Sequence, residues 1–207
     1  IEESIPPAWV SDYKASLPKL SQLEQQLQEC TTRLETVRKE QENILEQKKG
    51  KKKYLKLLYE KGKFQLEPVV RDAFFLFGFE VSQPGELDAL LNAPEGSAIV
   101  EVEGKDDEPV KRDKYRQLLD YVDDDERETG ILRKGILVGN AFRLKNPKER
   151  KEQFSKDAIG AAQGSHFCFL TSEVLFHLVC KVLDNPQEEL KQEIRKRIMA
   201  TDGLFNL

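Results

Sequence analysis

Groups able to do chemistry concentrate in one stretch of this chain, Ala98-Ile-Val-Glu-Val-Glu-Gly-Lys105. The run is apolar enough for a strand, and alternate residues of a strand share a face. Glu101 and Glu103 therefore lie on the side of Ile99, and Lys105 joins them if the strand continues. Ala98, Val100 and Val102 take the opposite side. Two neighbouring carboxylates at the end of an apolar strand repel each other, and desolvation raises their pKa. Either they face water on a solvated edge strand, or a cation neutralises them. Asp88 lies in the preceding predicted strand, where it can meet Glu101 across a hairpin. Asp88 and Glu101 would supply the hard oxygen ligands that Mg²⁺ or Mn²⁺ takes together with water and phosphate. Such an ion polarises a phosphate and lowers the pKa of an attacking water. Gln117 and Tyr121 are four apart on a predicted helix, so they share one face and can point together into the same site.

The elements that would position these groups follow from periodicity and from Gly and Pro punctuation. A helix is predicted over 65–77, with Val70, Phe74 and Phe77 on one face. Strands are predicted over 79–81, 87–91 and 98–103, the last two joined by a hairpin at 92–96. Next come a helix over 111–122, a strand over 135–140, a helix over 153–163, a strand over 167–171 and helices over 173–183 and 186–200. A short tail closes the chain at 203–207. This order describes an α/β fold with a mixed sheet flanked by helices. The tightly joined first strands should be antiparallel, and the later ones, with helical crossovers, parallel.

Upstream lies a different kind of sequence. Residues 1–19 carry Pro6, Pro7 and Pro18 around Trp9 and Tyr13, which reads as a linker or a partner-bound arm. Then Leu20, Leu27, Leu34 and Gln41 alternate with Leu23, Cys30, Val37 and Ile44. A period of about 3.5 residues requires a partner helix to bury its stripe. A coiled coil over 20–60 is expected, pairing two copies of the chain; a partner protein or a domain upstream of Ile1 is the competing occupant. The run Lys48–Lys53, broken only by Gly50, should loosen that pair before Leu55 and Leu58 resume the seam. The lysines serve either as a phosphate-binding patch or as a solvated splay point.

Bulk properties set limits. Lys and Arg number 33 against 37 Asp and Glu, a net charge of −4 that argues against a broadly basic nucleic-acid coat and leaves room for a local patch. Cys30, Cys168 and Cys180 form neither a disulfide framework nor a zinc pattern, and free cytoplasmic thiols are expected. His166 and His177 fall in no ligand pattern. No apolar run approaches the ~20 residues of a membrane span, so no membrane association is expected. The chain has no phosphate-binding glycine loop with its lysine, and no serine or cysteine placed with a histidine for nucleophilic catalysis.

Four stretches in order resemble the motifs of the PD-(D/E)xK nucleases, restriction-endonuclease-like proteins, and most of all their RecB-type branch. Gly62 and Glu67 resemble a first motif of glycine followed by a helix glutamate. Gly85-Glu-Leu-Asp88 resembles the second, with its metal-binding aspartate. Glu101-Val-Glu103 stands at the (D/E)-x-K triplet, and Gln117-Leu-Leu-Asp-Tyr121 matches Gln-x-x-x-Tyr. The resemblance implies a nuclease-like domain over 61–207 that hydrolyses DNA, without separating DNA from RNA. It implies Mg²⁺ or Mn²⁺ held by Asp88 and Glu101 with Glu67, Glu103 as base or second-metal ligand, and Gln117 and Tyr121 positioning substrate. A coiled coil pairing two such domains would suit cutting both strands. Two departures stand out. Glu103 replaces the usual lysine, a charge that Lys105 could partly supply; alternatively Glu103-Gly-Lys105 is itself the triplet. Pro68 pushes Glu67 toward the start of its helix. A catalytically inactive nuclease-fold module, serving protein interaction or nucleic-acid binding in a larger assembly, and a structural coiled-coil protein with solvated carboxylates remain open beside the nuclease.

Overall fold

The computed structural model describes residues 5–207, and these divide into two compact units that meet between Lys51 and Lys52. The first four residues of the expected N-terminal arm lie outside the described residues. Within the first unit, the rest of that arm is not extended: Ala8–Ser16 winds into a 3₁₀ helix, with the Trp9 and Tyr13 rings edge to face at 6.1 Å. Helix α1 (Leu20–Lys52) runs 33 residues and has no buried residue. It continues unbroken through Gly50, because lysines cost a single helix little when each is solvated.

The second unit begins before the expected boundary at 61. After a 3₁₀ turn at Lys53–Leu55 and the short α2 (Lys56–Tyr59), it is Tyr54 and Leu57 that are buried, while Leu55 is 41% exposed. Leu55 and Leu58, expected to resume the seam, thus lie beyond the end of α1, in the 3₁₀ turn and in α2. Tyr54 and Leu57 pack instead into the core with α3 (Leu66–Leu76), whose Val70, Ala73 and Phe74 recur at helical spacing.

Strands β1 (Glu80–Ser82), β2 (Ala89–Ala93) and β3 (Gly96–Gly104) form an antiparallel meander. Helix α4 (Arg112–Thr129) returns the chain to β4 (Lys134–Asn140), parallel to β3. Helix α5 (Lys156–Gly164) leads to β5 (Cys168–Thr171), parallel to β4. Then come α6 (Ser172–Asp184), α7 (Glu188–Ala200) and β6 (Gly203–Leu204). The result is an α/β unit on a mixed six-stranded sheet, strands in sequence order. The expected tail is thus partly an edge strand: Gly203 donates to the Phe167 carbonyl (2.7 Å) and Phe205 to that of Phe169 (2.8 Å), and Phe205 is buried.

Alternation along β3 sorts its side chains as expected. Ala98, Val100 and Val102 join a core with Leu57, Phe74, Leu175 and Val179, from α2, α3 and α6. Ile99 joins a second core with Leu118 and Val122 of α4 and Ala158 and Ala162 of α5. Both faces of β3 are covered, which is typical of strands with parallel neighbours. Glu101 is consequently buried, at 3% exposure, and the solvated edge strand is ruled out. No described helix is long and apolar enough to cross a membrane.

Candidate active site

A cleft of about 630 Å³ opens where β3 ends, lined by Gly62, Glu67, Asp88, Glu101, Glu103, Lys105, Lys114 and Gln117 among others. Three stretches of carboxylate-bearing chain converge there. Glu67 sits in the first turn of α3, directly before Pro68, where the proline's fixed φ suits a helix start. Asp88 was expected inside a strand, but β2 begins only at Ala89, opposite Val100. The reason lies across the hairpin: Asp88 Oδ2 accepts the Val102 N–H at 2.8 Å, taking the place of a main-chain partner. Asp88 thereby stands beside the two strand glutamates.

Electrostatics in the cleft are strained. Burial raises the Glu101 pKa to about 7, with the Asp88 charge adding to the shift and Lys114 opposing it. Burial also raises Asp88, against the Val102 N–H that favours its charged form. Glu67 is raised by burial and by the adjacent Asp88 carboxylate. Its Oε2 is buried with no hydrogen-bond partner, and Arg71 approaches only to 3.7 Å. Arg71 gives its shorter bond, 2.8 Å, to the Asp88 main-chain carbonyl.

Lys114 is the residue that sequence reasoning missed. From the first turns of α4 its ammonium reaches Glu101 Oε1 at 3.0 Å, Glu103 Oε2 at 3.1 Å and Gln117 Oε1 at 2.9 Å. Burial works to lower its pKa, but the bonds and charges of Glu101 and Glu103 outweigh this and raise it. The available signal was spacing: Lys114, Gln117 and Tyr121 fall at i, i+3 and i+7, one helical face. Gln117 donates to the Tyr121 hydroxyl at 3.0 Å, so the two do share a face, and Gln117 lines the cleft with Tyr121 behind it. Lys105 follows the end of β3 and pairs with Glu103 at 3.0 Å. Glu103 is thus held between two ammonium groups. Neither histidine lines the cleft.

One rim is built from the segment that follows α2. Gly62 has φ +76°, a left-handed conformation suited to glycine, and its carbonyl accepts from Leu66 at 3.0 Å, starting α3. Arg143 holds this segment through the Tyr59 carbonyl (2.6 Å) and Asp106 (2.6 Å), Lys61 also reaches Asp106 (2.8 Å), and Asn140 donates to the Glu60 carbonyl (2.8 Å). Arg150 bonds the Leu58 carbonyl and Asn140. Gly104 permits the contact, since a Cβ there would lie 2.4 Å from Lys61 Cβ.

The donor chemistry fits a hard divalent cation, which needs only one or two protein carboxylates, the rest being water and substrate oxygen. Asp88 and Glu101 are such a pair, and the orphaned Glu67 Oε2 is a third oxygen seeking a positive partner. As the side chains stand, no group of three or more His, Cys, Asp or Glu is arranged to hold an ion among the described residues. The positive charge shared by Glu101 and Glu103 is the Lys114 ammonium, with Lys105 beside Glu103 as well.

No protein-family model matches the chain, and no curated protein sequence matches it. Among solved structures it is similar to protein VC1899 from Vibrio cholerae, at 16% identity and a TM-score of 0.38, over 67% of this chain. The chain spans about a third (34%) of that protein's length, and at this TM-score the likeness carries no argument.

Proposed function

We propose that the second unit is a divalent-metal-dependent nuclease of the PD-(D/E)xK type, hydrolysing DNA phosphodiester bonds. The observation that carries this reading is the convergence of Glu67, Asp88 and Glu101, each with a raised pKa, at the C-terminal end of β3 in an open cleft. Mutually repelling buried carboxylates are costly to keep, and perturbed titration in a cleft marks functional sites. The element order α3-β1-β2-β3-α4-β4 and the four motif resemblances agree with it.

Asp88 and Glu101 would hold Mg²⁺ or Mn²⁺, with Glu67 oriented toward the same charge. Bound there, the ion would neutralise phosphate charge and acidify a water. The chain's own residues supply the rest. Glu103 accepts one proton of the attacking water as the water's oxygen bonds to phosphorus and one ester P–O bond breaks, the departing oxygen taking a proton from a second water. Lys105 and Lys114 orient Glu103 and offer positive charge to the phosphate oxygens. Gln117, steadied by Tyr121, contacts the substrate backbone.

The test is plasmid cleavage with Mn²⁺, with Mg²⁺ and with a chelator, alongside Glu101→Ala. Metal-dependent nicking that Glu101→Ala abolishes supports the reading; nicking that survives the substitution in a clean preparation removes it.

A second reading is favoured by the Lys114 ion pairs. An internal ammonium that already neutralises Glu101 and Glu103 suits a catalytically inactive nuclease-fold module serving protein interaction or nucleic-acid binding. Calorimetry separates the two: micromolar Mn²⁺ binding that Asp88→Asn removes favours the enzyme, because Asn can still accept the Val102 N–H and so preserves the loop.

A further inference from the structure

Helix α1 carries an apolar stripe with nothing over it: Leu23 is 60% exposed, Leu27 69%, Leu34 61%, Val37 52% and Ile44 64%. We infer that this stripe is covered by α1 of a second copy running antiparallel. In that register Leu20 meets Lys51, Leu23 meets Lys48, Leu27 meets Ile44, Cys30 meets Gln41 and Leu34 meets Val37.

Three observations carry the orientation. The first is seam charge. A parallel pair stacks Lys48 on Lys48 and Lys51 on Lys51, two layers of like charge in the seam, which is destabilising. The antiparallel register sets each lysine against a leucine, where its methylene stem covers the apolar side chain and the ammonium reaches water. The second is charge beside the seam. In parallel helices Arg33 faces Arg38 of the second copy, a repulsion made twice, offset by Lys19 against Glu24. Antiparallel, Arg33 faces Glu40 of the second copy, an attraction made twice, and the other flanking pairs (Gln26 with Gln47, Glu24 with Leu45, Thr31 with Arg38) contain no like charges. The third fixes the register. Gln41 is the uncharged polar residue of the seam; a parallel pair stacks it on itself, and of the antiparallel registers the one that sets it against Cys30 keeps its amide off the aliphatic side chains of Leu23, Val37 and Ile44. Sliding the antiparallel pair by one heptad buries Gln41 on Leu23, sets Arg33 against Arg33 and leaves both lysine layers unmatched.

The inference does not depend on nuclease activity. Its consequence is geometric. The two Lys52 residues, where the second units begin, fall at opposite ends of the pair, about 50 Å apart along it. Pairing through α1 therefore sets the two starts far apart and not side by side.

Disulfide trapping tests it, in the full chain with the exposed Cys180 replaced by Ser to remove a competing thiol. A disulfide needs Cα atoms within about 7 Å, so oxidation by copper phenanthroline in air reports which positions face each other. With Gln41→Cys, Cys30 and the introduced thiol should crosslink to a dimer, at least about tenfold more than Cys30 alone. Adding Cys30→Ser should abolish that crosslink, since position 41 does not face itself. Ready crosslinking through Cys30 alone would show parallel helices and overturn the inference. Crosslinking in Leu34→Cys but not Gln41→Cys would overturn the register. A monomeric mass by sedimentation, near 23.8 kDa at high concentration, would overturn the pairing itself.

Discussion

Replacing Glu101 by Gln should stabilise the second unit at alkaline pH, while abolishing the cleavage proposed for it. Glu101 titrates at about 7 in the folded protein against an ordinary value of 4.5. In acid, below about pH 4.5, both folded and unfolded chains hold the proton and the shift costs nothing. Between about pH 4.5 and 7 the unfolded chain releases its proton first, so stability falls as pH rises; above 7 the penalty is complete. Each tenfold change in acidity is worth about 1.4 kcal/mol, so the ionised carboxylate costs the fold about 3 kcal/mol at pH 8. Gln removes that charge but keeps a carbonyl oxygen for the Lys114 ammonium, 3.0 Å away. For a unit of this size about 3 kcal/mol corresponds to a rise of roughly 6–12 °C in Tm, a figure in which the opposing ion pair with Lys114 is already counted. Thermal unfolding followed by near-ultraviolet circular dichroism, in chelator at pH 5 and pH 8, provides the measurement. The variant should gain on wild type at pH 8 and gain much less at pH 5. A variant equally destabilised at both pH values would refute the argument, because it would mean that burial does not disfavour the Glu101 charge.

Three further predictions probe the support of the cleft. Lys114→Met leaves Glu101 and Glu103 without their shared partner; since the Lys114 side chain is 23% exposed, the cost should be about 2 kcal/mol at pH 8, below that of a fully buried pair, and should shrink at pH 5 as Glu101 takes a proton. Urea denaturation at the two pH values reads it, and a pH-independent loss would point to packing alone. Gly104→Ala drives a methyl into Lys61, with Lys61 Cα only 2.9 Å away, so the 59–62 segment must shift at a cost of about 1–3 kcal/mol; faster hydrogen exchange at Lys61 and Gly62 is the expected readout. Leu57→Ala should destabilise the second unit by about 2–5 kcal/mol, whereas Leu27→Ala should leave its unfolding midpoint unchanged, because only Leu57 is in that core.

Much of this was legible from residue order alone. Period-two alternation from Ala98 to Glu103 separated the two faces of β3 correctly, because a strand's side-chain geometry is local. The short hairpin and the helical crossovers announced antiparallel and then parallel pairing. Pro68 placed Glu67 at its helix start for the same reason: proline's constraint acts on its own neighbours. Other features depended on partners distant in the chain. Leu55 and Leu58 looked like the continuation of a heptad seam, and only the pocket among α3 and α6 drew their neighbours Tyr54 and Leu57 into a core. Gly203 and Leu204 were too short to read as a strand until β5 offered an open edge. Asp88 left its strand because the Val102 amide, brought opposite by the hairpin, was there to be capped. Lys114 became the counter-charge of Glu101 only when α4 packed over β3. Local conformation follows from local residues, but burial, and with it the raised pKa of Glu67, Asp88 and Glu101, is set by which segments the fold brings together.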